Sequence, residues 1–276
     1  MNGILLIHKE AGMTSHDVVS RLRKILKIKK IGHSGTLDPD ATGVLLVLVN
    51  TACKALPYLE DTDKEYVATM ELGKRTTTDD ISGEVLETKA ITPIQDFQAL
   101  LQTFLGKQEQ LPPMVSSVRV NGKKLYEYAR NHEEVERPKR IIHIHEIEML
   151  DEEKLKFRVA CSSGTYIRSL CVDLAEKSHN LGCMKSLIRT KVGRFHLKDC
   201  VTLEQVERGD FTLYPLFDAL AHFPYISYEP IQDVYHGKTI RLDCEEDEVI
   251  IVHEHQVVAV YKRHHGHWFS CARGLW

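Results

Sequence analysis

The tightest constraint in this sequence is the apolar run Val44 to Val49, entered through Gly43. A short apolar run without polar alternation reads as a buried strand. It is preceded by Gly32-His33-Ser34-Gly35-Thr36-Leu37-Asp38-Pro39-Asp40-Ala41-Thr42. Glycines at 32, 35 and 43 permit backbone angles that other residues resist, and Pro39 fixes its own φ while restricting Asp38 before it. The result is a rigid loop that presents one acid, Asp38. Taken by itself, Asp38-Pro39-Asp40 is also an ordinary turn start, since Asp and Pro are both common turn residues. Basic residues immediately upstream, Arg21, Arg23, Lys24, Lys27, Lys29 and Lys30, favour a functional reading.

At 276 residues the chain can bury a substantial core in one large domain or two unequal ones. A net charge of -3 argues against a protein that coats nucleic acid nonspecifically. The charge is nonetheless uneven, because the basic run at 21–30 contrasts with acids at Asp243, Glu245, Glu246, Asp247 and Glu248. Seven cysteines with no Cys-x-x-Cys spacing make a disulfide framework or zinc ribbon an unsuitable reading. The opening residues read as a strand running into His8, Lys9 and Glu10 and not as a signal peptide, and no apolar stretch nears the roughly 20 residues that span a bilayer. A cytoplasmic protein is expected.

Along the chain, Gly3 to Lys9 reads as a strand, and Thr14 or Ser15 can cap a helix bearing Val18, Val19, Leu22, Ile25 and Leu26 on one face. A short helix is expected at Thr51 to Leu59. Lys64 to Leu72 alternates as a strand, with Tyr66, Ala68 and Met70 on one side, and a polar loop follows from Gly73 to Gly83. Pro93 to Leu105 predicts an amphipathic helix. Residues 108–140 read as a basic insertion, with an Asn121-Gly122 turn and a helical stretch from Lys123 to Asn131. Strands are expected at Ile141 to Leu150 and Leu155 to Cys161, then a helix from Tyr166 to Lys177 that carries Arg168 in its first turn. Short helices are expected at Leu203 to Glu207 and Leu216 to Ala221. Beyond Phe223-Pro224, strand-like pieces at 239–242, 249–253, 256–261 and 268–271 suggest a small β module, so a domain boundary is placed near 223.

Fifteen histidines raise the question of metal. His143 and His145 would share a strand face, and His264, His265 and His267 lie near Cys271, yet neither set has acids or cysteines at the usual zinc spacing. Phosphate-loop, dinucleotide and serine-hydrolase motifs are missing from the sequence. What remains is Asp38, with Tyr66 and Arg168 as possible partners. An arginine beside a carboxylate keeps it ionised and fit to act as a nucleophile, and a tyrosine offers a face on which a base can stack. Sequence spacing does not bring the three together, and each of Tyr66 and Arg168 has an ordinary structural reading.

Several stretches, in order, are similar to one known family. Residues Gly32 to Pro39 followed by Ala41-Thr42-Gly43 resemble the signature of the TruB family of tRNA pseudouridine synthases. So do Lys9 to Ser15, Lys64-Glu65-Tyr66, Pro112-Pro113-Met114 through Gly122 to Arg130, and Gly164-Thr165-Tyr166-Ile167-Arg168. The resemblance implies an α+β fold, with a mixed, mostly antiparallel sheet and flanking helices in a catalytic domain at 1–222. It implies an RNA-binding insertion at about 108–140 and a PUA-like RNA-binding module at 223–276.

Carried over position by position, the resemblance implies that Asp38 is the catalytic aspartate, Arg168 its ion-pair partner and Tyr66 the ring that stacks on the flipped uracil. His33 would help displace the target nucleotide and Leu187 would pack against the base. Lys9, Lys123, Lys124 and Arg130 would contact substrate. The implied reaction turns uridine into pseudouridine at position 55 in the T-arm of tRNA, with no cofactor or metal, no obligate protein partner and a monomeric enzyme. Asp38 would attack either C1′ or C6 of the nucleotide. Two alternatives stay open: a guide-RNA-dependent relative, and a tRNA-folding protein with incidental chemistry.

Overall fold

The computed structural model describes residues 1–59 and 63–276. The chain divides into two compact units, Met1–Pro39, Gly43–Asp61 and Gly193–Trp276 in one, Asp40–Thr42 and Thr62–Val192 in the other. The architecture is α+β, rich in sheet and with few helices.

The first unit opens with β1 (Gly3–Lys9), α1 (Ser15–Leu26), β2 (Ile31–His33) and β3 (Thr42–Val49). Thr14 caps α1: its hydroxyl accepts from the Asp17 amide while Asp17 accepts from the Thr14 amide, a reciprocal pair that satisfies two end groups. Both β1 and β2 pair antiparallel with β3. Every residue of β3 from Gly43 onward is buried, as its unbroken apolar character requires. Val18, Val19 and Leu22 of α1 pack on Leu5, Ile7, Leu45 and Val47. Each such side chain contributes about 1.5–3 kcal/mol on burial, so the strand that ends the Asp38 loop is firmly seated. The helix expected at Thr51 to Leu59 is two 3-10 turns, Asn50–Lys54 and Leu56–Tyr58, with Pro57 in the second.

In the second unit, β4 (Lys64–Leu72) is followed by a hairpin of β5 (Lys74–Thr76) and β6 (Val85–Thr88), where a loop had been expected. Next come α2 (Phe97–Gln102), β7 (Gly106–Gln110), and a second hairpin of β8 (Arg119–Val120) and β9 (Lys123–Lys124). Its Asn121 and Gly122 both take positive φ, as the two-residue turn demands. Then follow α3 (Leu125–Arg130), β10 (Arg140–Asp151), β11 (Lys156–Cys161), α4 (Ile167–Lys177) and β12 (Gly182–Val192). Helix α2 is shorter than expected, because Asp96 caps it and leaves Pro93 outside. Within the unit the strands run β12-β4-β11-β10-β7, each pair antiparallel. The first residues of the expected insertion, up to Gln110, are thus a sheet edge.

The chain returns to the first unit with β13 (Phe195–His196), α5 (Leu203–Arg208), α6 (Leu216–Ala219) and β14 (Tyr225–Ser227). It ends with α7 (Ile231–Tyr235), β15 (Ile240–Arg241), β16 (Glu248–His253), β17 (Gln256–His265) and β18 (Trp268–Gly274). Strands β14 to β18 form their own five-stranded sheet, ordered β14-β16-β17-β18-β15 around Val249, Ile251, Tyr261 and Phe269. No helix is long and apolar enough to cross a membrane among the described residues.

Candidate active site

Asp38 stands half-buried in the loop between β2 and β3, and the backbone on both sides of it is clamped. On the N-terminal side the Ser15 hydroxyl accepts from the Leu37 amide at 2.9 Å and donates to the Leu37 carbonyl at 3.3 Å. Thr14 does the capping of α1, so Ser15 can serve the loop. On the C-terminal side the Pro39 carbonyl accepts from the Lys9 ammonium at 2.9 Å and from the Gly12 amide at 3.1 Å. Gly12 sits at φ 80, where a side chain would be strained. Lys9, expected to contact substrate, is fully buried and also donates to the Glu10 carbonyl; in the structure it fixes the loop. His33 ends β2 opposite Val47 and is half-buried. Of the three loop glycines, Gly43 takes positive φ, at 116°; Gly32 lies within β2.

In the second unit, Tyr66 lies on the buried face of β4, as its alternation predicts. Across the β4-β12 pairing, Leu187 is opposite Ala68 and Arg189 opposite Tyr66. Opposed residues of an antiparallel pair share a face, so tyrosine, leucine and guanidinium lie side by side. Arg189 is 1% exposed, although its neighbours in sequence, Lys185, Lys191 and Arg194, are basic. Its alternation with Leu187 was the available signal, but β12 carries bulges on both sides of these residues, which interrupt the period.

Arg168 is buried in the first turn of α4. Its Nη1 donates to the Thr78 carbonyl at 2.8 Å, its Nη2 to the Val115 carbonyl at 3.0 Å, and its Nε is 3.9 Å from Asp80 Oδ2. Asp80 was not singled out from sequence. Its Oδ1 accepts from the Thr78 hydroxyl, the Ser82 amide and the Ser82 hydroxyl, knotting the turn that Arg168 reads. Asp79 occupies the left-handed region at φ 62, and its carbonyl accepts from the Met184 amide of β12. Burial holds the Asp79 carboxyl above the usual range, opposed by the positive charge of Arg168 and Arg137. The structure thus groups Tyr66, Leu187 and Arg189 on one sheet face and Arg168 with Asp80 at the α4 start, while His33, Asp38 and Lys9 belong to the other unit.

The insertion is basic and ordered. Lys123 pairs with Glu133 at 2.8 Å and lies over the Tyr128 ring, Lys124 lies over Tyr126, and Arg130 is exposed. Arg119, Arg137 and Lys139 line a cavity of about 860 Å³ beside them. Among the described residues no group of three or more His, Cys, Asp or Glu is placed to hold a metal. His143 and His145 do meet, with rings 4.4 Å apart, and His145 pairs with Asp63.

The model of the TruB family pseudouridylate synthase N-terminal domain matches residues 23–167, and that of the tRNA pseudouridylate synthase B C-terminal domain matches 168–212. A tRNA pseudouridine synthase B of Oceanobacillus iheyensis is 41% identical over 283 residues, covering 96% of this chain and 93% of that protein. One of Bacillus cytotoxicus is 42% identical over 286 residues, with the same coverage, 96% and 93%. Among solved structures, a chain from a Cbf5-Nop10-Gar1 complex has a TM-score of 0.72 at 24% identity, covering 99% of this chain and 85% of that one. A chain from an H/ACA RNP bound to a substrate RNA containing 2′-deoxyuridine gives 0.70 at 23%, with 99% and 85% covered. At those identities the likeness is one of fold. The clamped aspartate loop and the arginine at the α4 start both fall within sequence that matches over nearly its whole length, and the chain belongs to the TruB family of pseudouridylate synthases.

Proposed function

We propose that this enzyme isomerises uridine to pseudouridine at position 55 in the T-arm of tRNA, with Asp38 as nucleophile. The observation that carries the reading is the clamp around Asp38: a single carboxylate held on both sides by Ser15, Lys9 and Gly12. Preorganised positioning of a reacting group is worth far more than its presence, because effective molarity depends on orientation. The choice of tRNA rests on the relatives named tRNA pseudouridine synthase B.

The chemistry is redox-neutral. The N1–C1′ bond breaks and a C5–C1′ bond forms; C5 gives up a proton and N1 gains one, so the nucleotide retains its atoms. Asp38 attacks C1′ or C6, the covalent adduct holds one half of the nucleotide while uracil turns, and the bond to Asp38 breaks again as the C5-linked product forms, which returns the carboxylate. The base must first leave the T-loop stack, which costs a few kcal/mol. Stacking on Tyr66, worth about 1–3 kcal/mol, and packing on Leu187 offset that cost. His33 helps displace the nucleotide, and Arg168 keeps Asp38 ionised. Lys123, Lys124 and Arg130 of the insertion meet phosphates. Residues 223–276, which fold into a sheet of their own, act as the PUA-like module, and 1–222 as the catalytic domain. The enzyme works as a monomer in the cytoplasm, without a guide RNA or protein partner.

The test is incubation of the purified protein with an unmodified tRNA transcript, followed by mapping of pseudouridine. One product at position 55 is expected. Product elsewhere, or product that requires a guide RNA, contradicts the proposal.

A further inference from the structure

The first turn of α4 carries Arg168, yet the residue that caps this helix, Tyr166, has no side-chain cap of its own. The cap comes from β7. Gln110, 3% exposed, accepts from the Tyr166 amide through Oε1 at 2.8 Å and donates to the Tyr166 carbonyl through Nε2 at 3.0 Å. A carboxamide carries a donor and an acceptor side by side, so one side chain reaches both backbone groups of Tyr166, whose carbonyl also accepts from the Leu170 amide at 3.0 Å. One residue on, the Leu111 carbonyl accepts from Ser169, and further along the Val115 carbonyl accepts from Arg168 itself. The segment that leaves Gln110 therefore leads into the basic insertion while remaining stitched to the first turn of α4.

We infer that Gln110 is a positioning residue for Arg168, fixing the start of α4 against the segment that leads into the insertion. The inference rests on the proposed role of Arg168 in the isomerisation. Its physical basis is direct: two hydrogen bonds set the height and direction of the Tyr166 backbone, and Arg168 follows two residues later. A guanidinium that reads two carbonyls and a carboxylate tolerates little displacement. A misplacement of about 1 Å at a catalytic centre costs on the order of 100-fold in rate.

The test compares Gln110→Ala, Gln110→Glu and Arg168→Ala with the unaltered enzyme by single-turnover rate on a tRNA transcript, tRNA affinity, and thermal melting at each assay pH. Gln110→Ala should lower the single-turnover rate about 10- to 100-fold, with affinity changed less than about threefold. Gln110→Glu supplies the sharper readout. An ionised glutamate still accepts from the Tyr166 amide but turns a second acceptor toward the Tyr166 carbonyl, whereas a protonated one reproduces both bonds. Burial raises a carboxyl's pKa, so the rate relative to the unaltered enzyme should climb as pH falls from about 8.5 to about 6, by up to roughly tenfold per unit. A pH-independent ratio for Gln110→Glu overturns the inference. So does a Gln110→Ala protein that melts lower but turns over normally while folded, or one that loses affinity and not rate. Full activity in Arg168→Ala instead removes the reading on which the inference rests, whatever the glutamine variants do.

Discussion

At the scale of single residues, the site depends on groups that never need to touch substrate. Ser15 spends its hydroxyl on both backbone groups of Leu37, the residue before Asp38. Ser15→Ala leaves a buried amide without its acceptor, which costs about 1–3 kcal/mol. The variant should melt at lower temperature, and its single-turnover rate should fall by more than its tRNA affinity; equal melting curves would contradict the clamp. The turn at Asp38 was legible from the proline that follows it, whereas of the three glycines around it Gly43 takes positive φ. The burial of Lys9 on two carbonyls was not legible, since nothing in its neighbours in sequence marks it. Gln110 and Asp80 were unreadable for a related reason. Each acts on residues 56 and 88 positions away, through contacts that no local periodicity encodes.

At the scale of elements, β1 and β4 match their expected ranges because apolar period and strand period coincide there. Strand β12 defeats the same reasoning, since its bulges shift the register by one residue. The polar stretch after Gly73 hides a hairpin, β5 with β6, whose exposed β6 offers no apolar pattern. Helix α4 was legible in extent, but its electrostatics were not. Asp173, half-buried in α4, is pushed up to about 6 by burial and then by the negative charges of Glu176 and Asp79. Its folded pKa lies above the unfolded 3.8, so the folded state binds the proton more tightly and loses stability as pH rises between those values. Asp173→Asn removes that penalty. The variant should be more stable than the parent at pH 7.5, by on the order of 1–2 kcal/mol after allowing for solvent screening, and indistinguishable near pH 4. A gain of equal size at both pH values in denaturant melts would contradict the assignment.

At the scale of the molecule, uneven charge was visible in the sequence, but its arrangement was not. The acidic run of the C-terminal sheet is held in place by Arg263, which bonds Asp247 through Nε and the Cys244 and Glu246 carbonyls through Nη2. Arg21 and Lys24 of α1 and Arg119, Arg130 and Lys139 of the insertion are exposed, where a polyanion can reach them. In the proposed function, binding of tRNA and chemistry on it draw on different groups, and they can be separated by experiment. Asp38→Asn leaves the backbone bonds to Leu37 and Pro39 in place while removing the proposed nucleophile. This variant should bind unmodified tRNA with unchanged affinity and form no pseudouridine, even at enzyme excess over long incubation. Pseudouridine formed at the parent rate would contradict the proposed role of Asp38.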